Sequence, residues 1–253
     1  MQVVGYETAP GSPGTAQLLL ASDGSIEPVA LESGTELAYS LGDRRCAGAI
    51  DGETHLACDN DSTPHCSAHD RTWICARCTG TCLKDEMDCR EPHAIYLAAF
   101  APDVVKVGVT KRPRLETRFR EQGADRGALL AVVPDGRIAR EREAELATRI
   151  TDRVRVPAKI DGLHRSVDDA RWEQAYSWFE ATETYRFDYG LDLDVAPVAE
   201  TLARGRVRGV KGRILVLKTG DTTYATDLRS LVGYELSTDA SDRRLQSSLG
   251  AFS

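Results

Sequence analysis

No stretch of this 253-residue chain approaches the ~20 consecutive apolar residues that a membrane-spanning helix needs. The N-terminal MQVVGYETAPG lacks the charged-then-apolar layout of an export signal. These absences lead to the expectation of a cytoplasmic protein with no membrane partner. A reducing compartment argues against disulfides as the reason for seven cysteines, an odd number. Lysine is also scarce, at six against 26 arginines, and residues 204–218 contain no acid. With abundant aspartate, that balance fits a GC-rich, salt-adapted host such as a haloarchaeon. What remains is ordinary: 42% apolar and 28% charged residues suit a core-forming chain of one large domain or two modest ones.

Charge is unevenly spread. Residues 1–45, 46–92 and 156–203 carry −4, −5 and −6, whereas 93–155 carry +4 and 204–218 carry +6, within a total of −7. Two basic islands in an acidic chain suit a polyanion if they adjoin in space, and equally suit two solvated faces. The expected nucleic-acid contacts are Lys111 and Arg112 in the first island and Arg204, Arg206, Arg208 and Lys211 in the second. Arg204, Arg206 and Arg208 alternate with Gly205, Val207 and Gly209, so a strand would align three guanidiniums on one face. That array serves as a phosphate track or as a charged edge strand.

Short β-rich runs between Gly, Pro and Ser-Asp-Gly turns fill residues 1–45, an N-terminal β segment. Residues 46–92 hold every cysteine. A hairpin with helices spans 93–180, a helix and β segment 181–236, and a polar tail 237–253. Within 93–180, SVDDARWEQAYSWFEA predicts a helix opened by Ser166 with Asp169, and Trp172, Tyr176 and Phe179 form a packing stripe. The fold class is α+β: a small antiparallel sheet flanked by helices, preceded by a Cys-rich module, with further strands at both ends.

Clustered thiols in a reducing cytosol bind metal. Cys75-Ala-Arg-Cys78 is a turn that places two thiolates on one zinc, and Cys82 and Cys89 follow closely enough to complete a tetrahedron. Cys46, Cys58, Cys66, His65 and His69 could supply a second site. The segment has little apolar content, so structural zinc would replace the missing core. A redox pair leaves five cysteines unexplained, while an iron–sulfur cluster suits four thiolates as well as zinc does.

The chemistry-bearing stretch is His93–Gly123. HAIYLAAF and VVKVGVT are joined by Ala101-Pro102-Asp103, which predicts a hairpin pairing Phe100 with Val104, Ala98 with Lys106 and Tyr96 with Gly108. Ile95, Leu97, Ala99, Val105, Val107 and Val109 then share a core face. On the other face Tyr96 and Lys106 are diagonal neighbours above an open floor of Ala98 and Gly108. A helix follows with Leu115 and Phe119 buried, a Glu116–Arg120 pair outside and Gly123 as cap; Arg118 flanks its stripe. A second helix, from about Ile138 to Thr151, carries Ala139, Leu146, Ala147 and Ile150 on one face with Glu143 among them, while Glu145 can pair with Arg149. A core-facing carboxylate is costly unless something holds it, and hydrated Mg²⁺ is one such partner. An early-turn acid favoured by the helix dipole is the alternative.

Ala94-Ile95-Tyr96 and Lys106-Val107-Gly108, with Thr110 after the Gly and Arg118 on the next helix, resemble the GIY-YIG nucleases. Ala94 stands for the first Gly and Lys106 for the second Tyr, and 125–165 offers no counterpart to the family's late Asn. The resemblance implies a GIY-YIG-like core in which Tyr96, Lys106, Arg118 and Glu143 are catalytic and Glu143 holds Mg²⁺ or Mn²⁺. More widely, the Cys-rich segment, H-x-I-Y-L, K-V-G-V-T, R-F-x-x-Q-G-A and G-V-K-G-R-I-L, over about residues 46–236, are similar to a prokaryotic family of unknown function found in bacteria and haloarchaea. That family has a zinc-ribbon-like part ahead of the core. Metal-dependent phosphodiester hydrolysis on nucleic acid is the expectation. A non-catalytic zinc protein binding RNA or DNA is the alternative, and a protein–protein adaptor would show no salt-sensitive nucleic-acid affinity.

Overall fold

Strands form where apolar runs are bounded by residues that turn the chain. In this computed structural model residues 1–8, 15–70 and 89–239 are described. The chain divides into two units, Met1–Arg71 with Tyr189–Ser253, and Thr72–Asp188. Among the described residues no helix is long and apolar enough to cross a membrane.

The first unit opens with β1 (Gln2–Glu7), β2 (Gln17–Ser22), β3 (Ser25–Ala30), β4 (Glu36–Arg44), β5 (Ala49–Asp51) and β6 (Thr54–Leu56). β2 and β3 are joined by Asp23-Gly24, both at positive φ (51° and 80°), the backbone twist that a two-residue hairpin requires. The second unit follows with β7 (His93–Phe100), β8 (Val104–Lys111), α1 (Leu115–Gln122), β9 (Arg126–Val133), α2 (Gly136–Leu146), α3 (Val156–Asp161), α4 (Asp169–Tyr176) and β10 (Glu183–Arg186). The chain then returns to the first unit through β11 (Val198–Ala199), β12 (Ala203–Lys211), β13 (Ile214–Thr219), β14 (Thr222–Asp227), α5 (Leu228–Leu231) and β15 (Tyr234–Ser237).

In the first unit the described strands order as β11-β14-β13-β12-β4-β15-β1-β2-β3-β6-β5. The early and late β segments therefore share one sheet, because β4 pairs with β12 and with β15. Val3, Leu18, Leu37, Leu215, Leu217 and Leu228 belong to its core. β12 is flanked on both sides, so the expectation of an edge strand there is corrected.

In the second unit the order is β10-β9-β7-β8. All eight residues of β7 are buried, as expected of a central strand covered on both faces. One face packs Ile95, Leu97, Ala99, Val105 and Val107 against Ala139, Ile150, Trp172 and Ala175. The β7–β8 register is Phe100 with Val104, Ala98 with Lys106 and Tyr96 with Gly108, as the turn length predicts. The opposite face differs from expectation. Leu115 and Phe119 of α1 cover it, together with Ala94, Tyr96 and Leu129, and no open floor remains beside Tyr96. The Tyr96 ring occupies the space above Gly108, where a Cβ would stand 2.5 Å from its hydroxyl. Phe119 occupies the space above Gly127 in the same way.

The helix ends follow local chemistry. Gly123, in the left-handed region at φ 70°, closes α1 as expected. α2 begins at Gly136, ahead of the predicted Ile138, because the Asp135 side chain accepts the Ile138 N–H at 2.8 Å. It ends at Leu146, short of Thr151, although Ile150 still packs in the core. Asp168 caps α4 by accepting the Arg171 N–H at 3.0 Å, in place of the Ser166 capping box. Trp172 and Tyr176 meet in the packing stripe, their rings tilted by 36° with centroids 5.9 Å apart.

Gly108→Ala must displace the Tyr96 ring from a packed face. The expected loss is about 1–3 kcal/mol of stability, to be read from denaturant unfolding followed by near-ultraviolet circular dichroism. An unchanged midpoint would show that the ring has room to move.

Candidate functional site

Two groups of chemistry-bearing side chains stand out, one in each unit. In the first unit, Cys46 precedes β5, Cys58 follows β6, and Cys66 and His69 lie just beyond. Their donor atoms all lie within 4.8 Å of one another. His69 Nδ1 is 3.4 Å from both Cys46 Sγ and Cys66 Sγ. Zinc–ligand bonds of roughly 2.3 Å to sulfur and 2.0–2.1 Å to nitrogen, at the tetrahedral angle, put S and N about 3.5 Å apart. The Cys3His set is thus compatible with a metal such as zinc. The thiols are free, not disulfide-bonded.

Backbone N–H groups point at two of these thiols. Cys46 Sγ accepts the N–H groups of Gly48 at 3.4 Å and Cys66 at 3.3 Å. Burial raises the Cys66 thiol, but the N–H groups of Ala68 and His69 and the neighbouring Cys46 and Cys58 bring it down to about 7. His55, across the small hairpin, donates from Nε2 to the Ala47 carbonyl at 2.9 Å and braces the loop beside Cys46. The cluster takes His69 and not His65. Of the other expected ligand set, Cys75, Cys78 and Cys82 lie outside the described residues. Cys89 is described, and its carbonyl accepts the Gly136 N–H at 2.9 Å.

In the second unit Tyr96, Lys106, Arg118 and Glu143 come from β7, β8, α1 and α2. They share one electrostatic neighbourhood: Tyr96 and Lys106 each feel both Arg118 and Glu143. Tyr96 is only 1% exposed, and its hydroxyl accepts Gln122 Nε2 at 2.6 Å and is also reached by Arg118. Burial holds the phenol above its ordinary range despite Arg118 and Gln122. Lys106 itself is pulled down to about 8, chiefly by burial and then by Arg118, against the opposite influence of Glu143 and Asp152. Among the described residues its ammonium has no hydrogen bond or ion pair. Arg118 ion-pairs with Glu121 at 3.2 Å.

Glu143 answers the question of what holds a core-facing acid. Its carboxylate is 14% exposed and pairs with Arg140 Nη1 at 2.6 Å. Arg140 went unnoticed in the sequence, although an Arg three residues before a Glu on one helix is a recognisable pairing signal. Gln122 was also missed, because nothing local announces which hydroxyl an amide will reach. Glu145 pairs with Arg142 at 3.1 Å, not with Arg149.

Residues 57–236 match the family described as a protein of unknown function, DUF2797. The chain belongs to that family. No curated protein and no solved structure matches it. The matched span takes in Cys58, Cys66 and His69 of the cluster and the whole of the second unit's described residues.

The basic residues of this DUF2797 chain are mostly engaged. Lys111 pairs with Glu91 at 3.0 Å and Arg112 with Glu183 at 2.6 Å. Arg204 donates to Ser40 Oγ and the Asp239 carbonyl, Arg206 lies 3.8 Å from Glu36, and Lys211 sits over the Tyr189 ring. Exposed ion pairs of this kind contribute only about 0–1 kcal/mol each. The aligned track of three guanidiniums is corrected: β12 has a bulge between Val207 and Gly209, and Arg208 is the extra, exposed residue. The expected islands fall one in each unit.

Two measurements test this description. Cys66→Ser should lower the zinc content by one equivalent, read by plasma mass spectrometry, and loosen the β5–β6 region in hydrogen exchange; full retention of zinc would dismiss the cluster as a ligand set. Lys106 has a folded pKa near 8 against the ordinary 10.5, so the folded state resists the proton. Its cost is fully present below pH 8 and fades as pH rises to 10.5. Lys106→Met should therefore stabilise the protein at pH 7, by on the order of 3 kcal/mol at most, with the gain shrinking above pH 8. A pH-independent difference would exclude the burial effect.

Proposed function

We propose that the second unit of this DUF2797 protein is a GIY-YIG-like site for phosphodiester hydrolysis on nucleic acid, and that the Cys3His cluster is a structural zinc centre. One observation carries the reading: a largely buried lysine, free of ion pairs among the described residues, lies in the shared field of Arg118 and Glu143. Such an amine suits an anion or an exchangeable proton better than it suits the core.

The roles follow from each group's surroundings. Arg118 spends part of its guanidinium on Glu121 and Tyr96 and is left with donors for a non-bridging phosphate oxygen. Tyr96, sealed and protonated, positions Arg118 and does not remove protons itself. Lys106, with a pKa near 8, accepts the proton of the attacking water or steadies the phosphate. Glu143 is the carboxylate that would hold Mg²⁺ or Mn²⁺, and one carboxylate suits these hydrated ions. When bound, the ion supplies positive charge for the leaving oxygen. Arg140 must then yield Glu143, which points to weak metal affinity before substrate arrives.

A second reading, a non-catalytic zinc protein that binds nucleic acid, draws on the same ion pair: Arg140 already satisfies Glu143. Incubation with labelled single- and double-stranded RNA and DNA, with Mn²⁺ or Mg²⁺ and in low and molar KCl, separates the two. Glu143→Gln is expected to slow cleavage about 100-fold or more while gel-shift affinity persists. Binding without cleavage by the unaltered chain would favour the second reading, and salt-insensitive absence of binding would reject both.

A further inference from the structure

At the start of α2 three residues, Cys89, His93 and Gly136, come together. His93, the first residue of β7, is 8% exposed. Its Nδ1 lies 2.6 Å from the Glu91 carbonyl. A carbonyl can only accept, so Nδ1 is the donor, and in the neutral imidazole the lone pair is then on Nε2. Among the described residues that Nε2 has no hydrogen-bond partner. It faces the first residue of α2: a Cβ on Gly136 would stand 3.0 Å from His93 Nε2 and 3.1 Å from Cys89 Sγ. The imidazole nitrogen and the thiol thus flank the same point, kept clear by a glycine. The Gly136 N–H binds the Cys89 carbonyl at 2.9 Å and holds that geometry.

We propose that Cys89 Sγ and His93 Nε2 are two ligands of a zinc ion, separate from the one suited to the Cys46 cluster. A buried imidazole whose far nitrogen is anchored on a backbone carbonyl is oriented as metal-binding histidines are. A thiolate beside it supplies the N/S donor chemistry that zinc takes. The ion would tie the start of β7, the strand of Tyr96, to the start of α2, the helix of Glu143. The proposal does not depend on nuclease activity.

The test is metal content of the full chain by plasma mass spectrometry, with cobalt substitution as the spectroscopic readout. The unaltered protein is expected to hold zinc that survives Cys46→Ser and Cys66→Ser, while His93→Ala and Gly136→Ala each lose one equivalent and keep the Cys46-dependent one. His93→Cys should restore the lost equivalent and strengthen the sulfur-to-cobalt charge-transfer band. Full zinc in His93→Ala overturns the proposal. If that variant does not fold, His93→Gln decides: retention of the second equivalent with an unchanged cobalt spectrum overturns it. Zinc removed entirely by Cys46→Ser in a folded chain overturns it as well.

Discussion

The second unit depends on one constraint: β7 is apolar along its whole length and must be covered on both faces. Its eight buried residues demand a strand on each side and a packed layer above and below. β8 and β9 flank it in the sheet, α2 and α4 supply one layer, and α1 with the aromatic residues of the β10 region the other. Every candidate catalytic group hangs on an element recruited by that requirement. Two glycines make the second layer possible, because Tyr96 and Phe119 lie flat where side chains would otherwise stand.

Burial on both sides changes the chemistry of what projects from the sheet. A phenol closed off by Phe119 and Gln122 keeps its proton and serves as a hydrogen-bond anchor. A lysine beside it loses much of its hold on a proton. The acid on α2, Glu143, is paired with Arg140 on its own helix. Small differences in access thus separate these groups: Tyr96 is sealed in, whereas Lys106 and Arg118 stay closer to solvent.

The first unit solves a different problem. The stretch around β5 and β6 is short and poor in apolar residues, and its strands are three residues each. Hairpins this small are marginal without help. Three thiols and an imidazole within 4.8 Å offer that help in the form of a metal cross-link. Strand exchange between the early and late segments supplies the rest of the core.

Local features were legible in the sequence because they depend on near neighbours. The hairpin register followed from turn length and alternation, the first four strands from turn residues, the Leu115–Phe119 stripe and Glu116–Arg120 pair from helical spacing, and the candidate ligands Cys46, Cys58, Cys66 and His69 from composition. What lay beyond reach involved partners distant in the chain or breaks in periodicity. The covering of Tyr96 by α1, the interior place of β12, its bulge at Arg208 and the contact of His93 with Gly136 could not be read from any one segment. Alternation says which side a residue faces; only tertiary packing decides whether that side is a cleft, a core or another chain segment, since burial is set by what arrives from elsewhere.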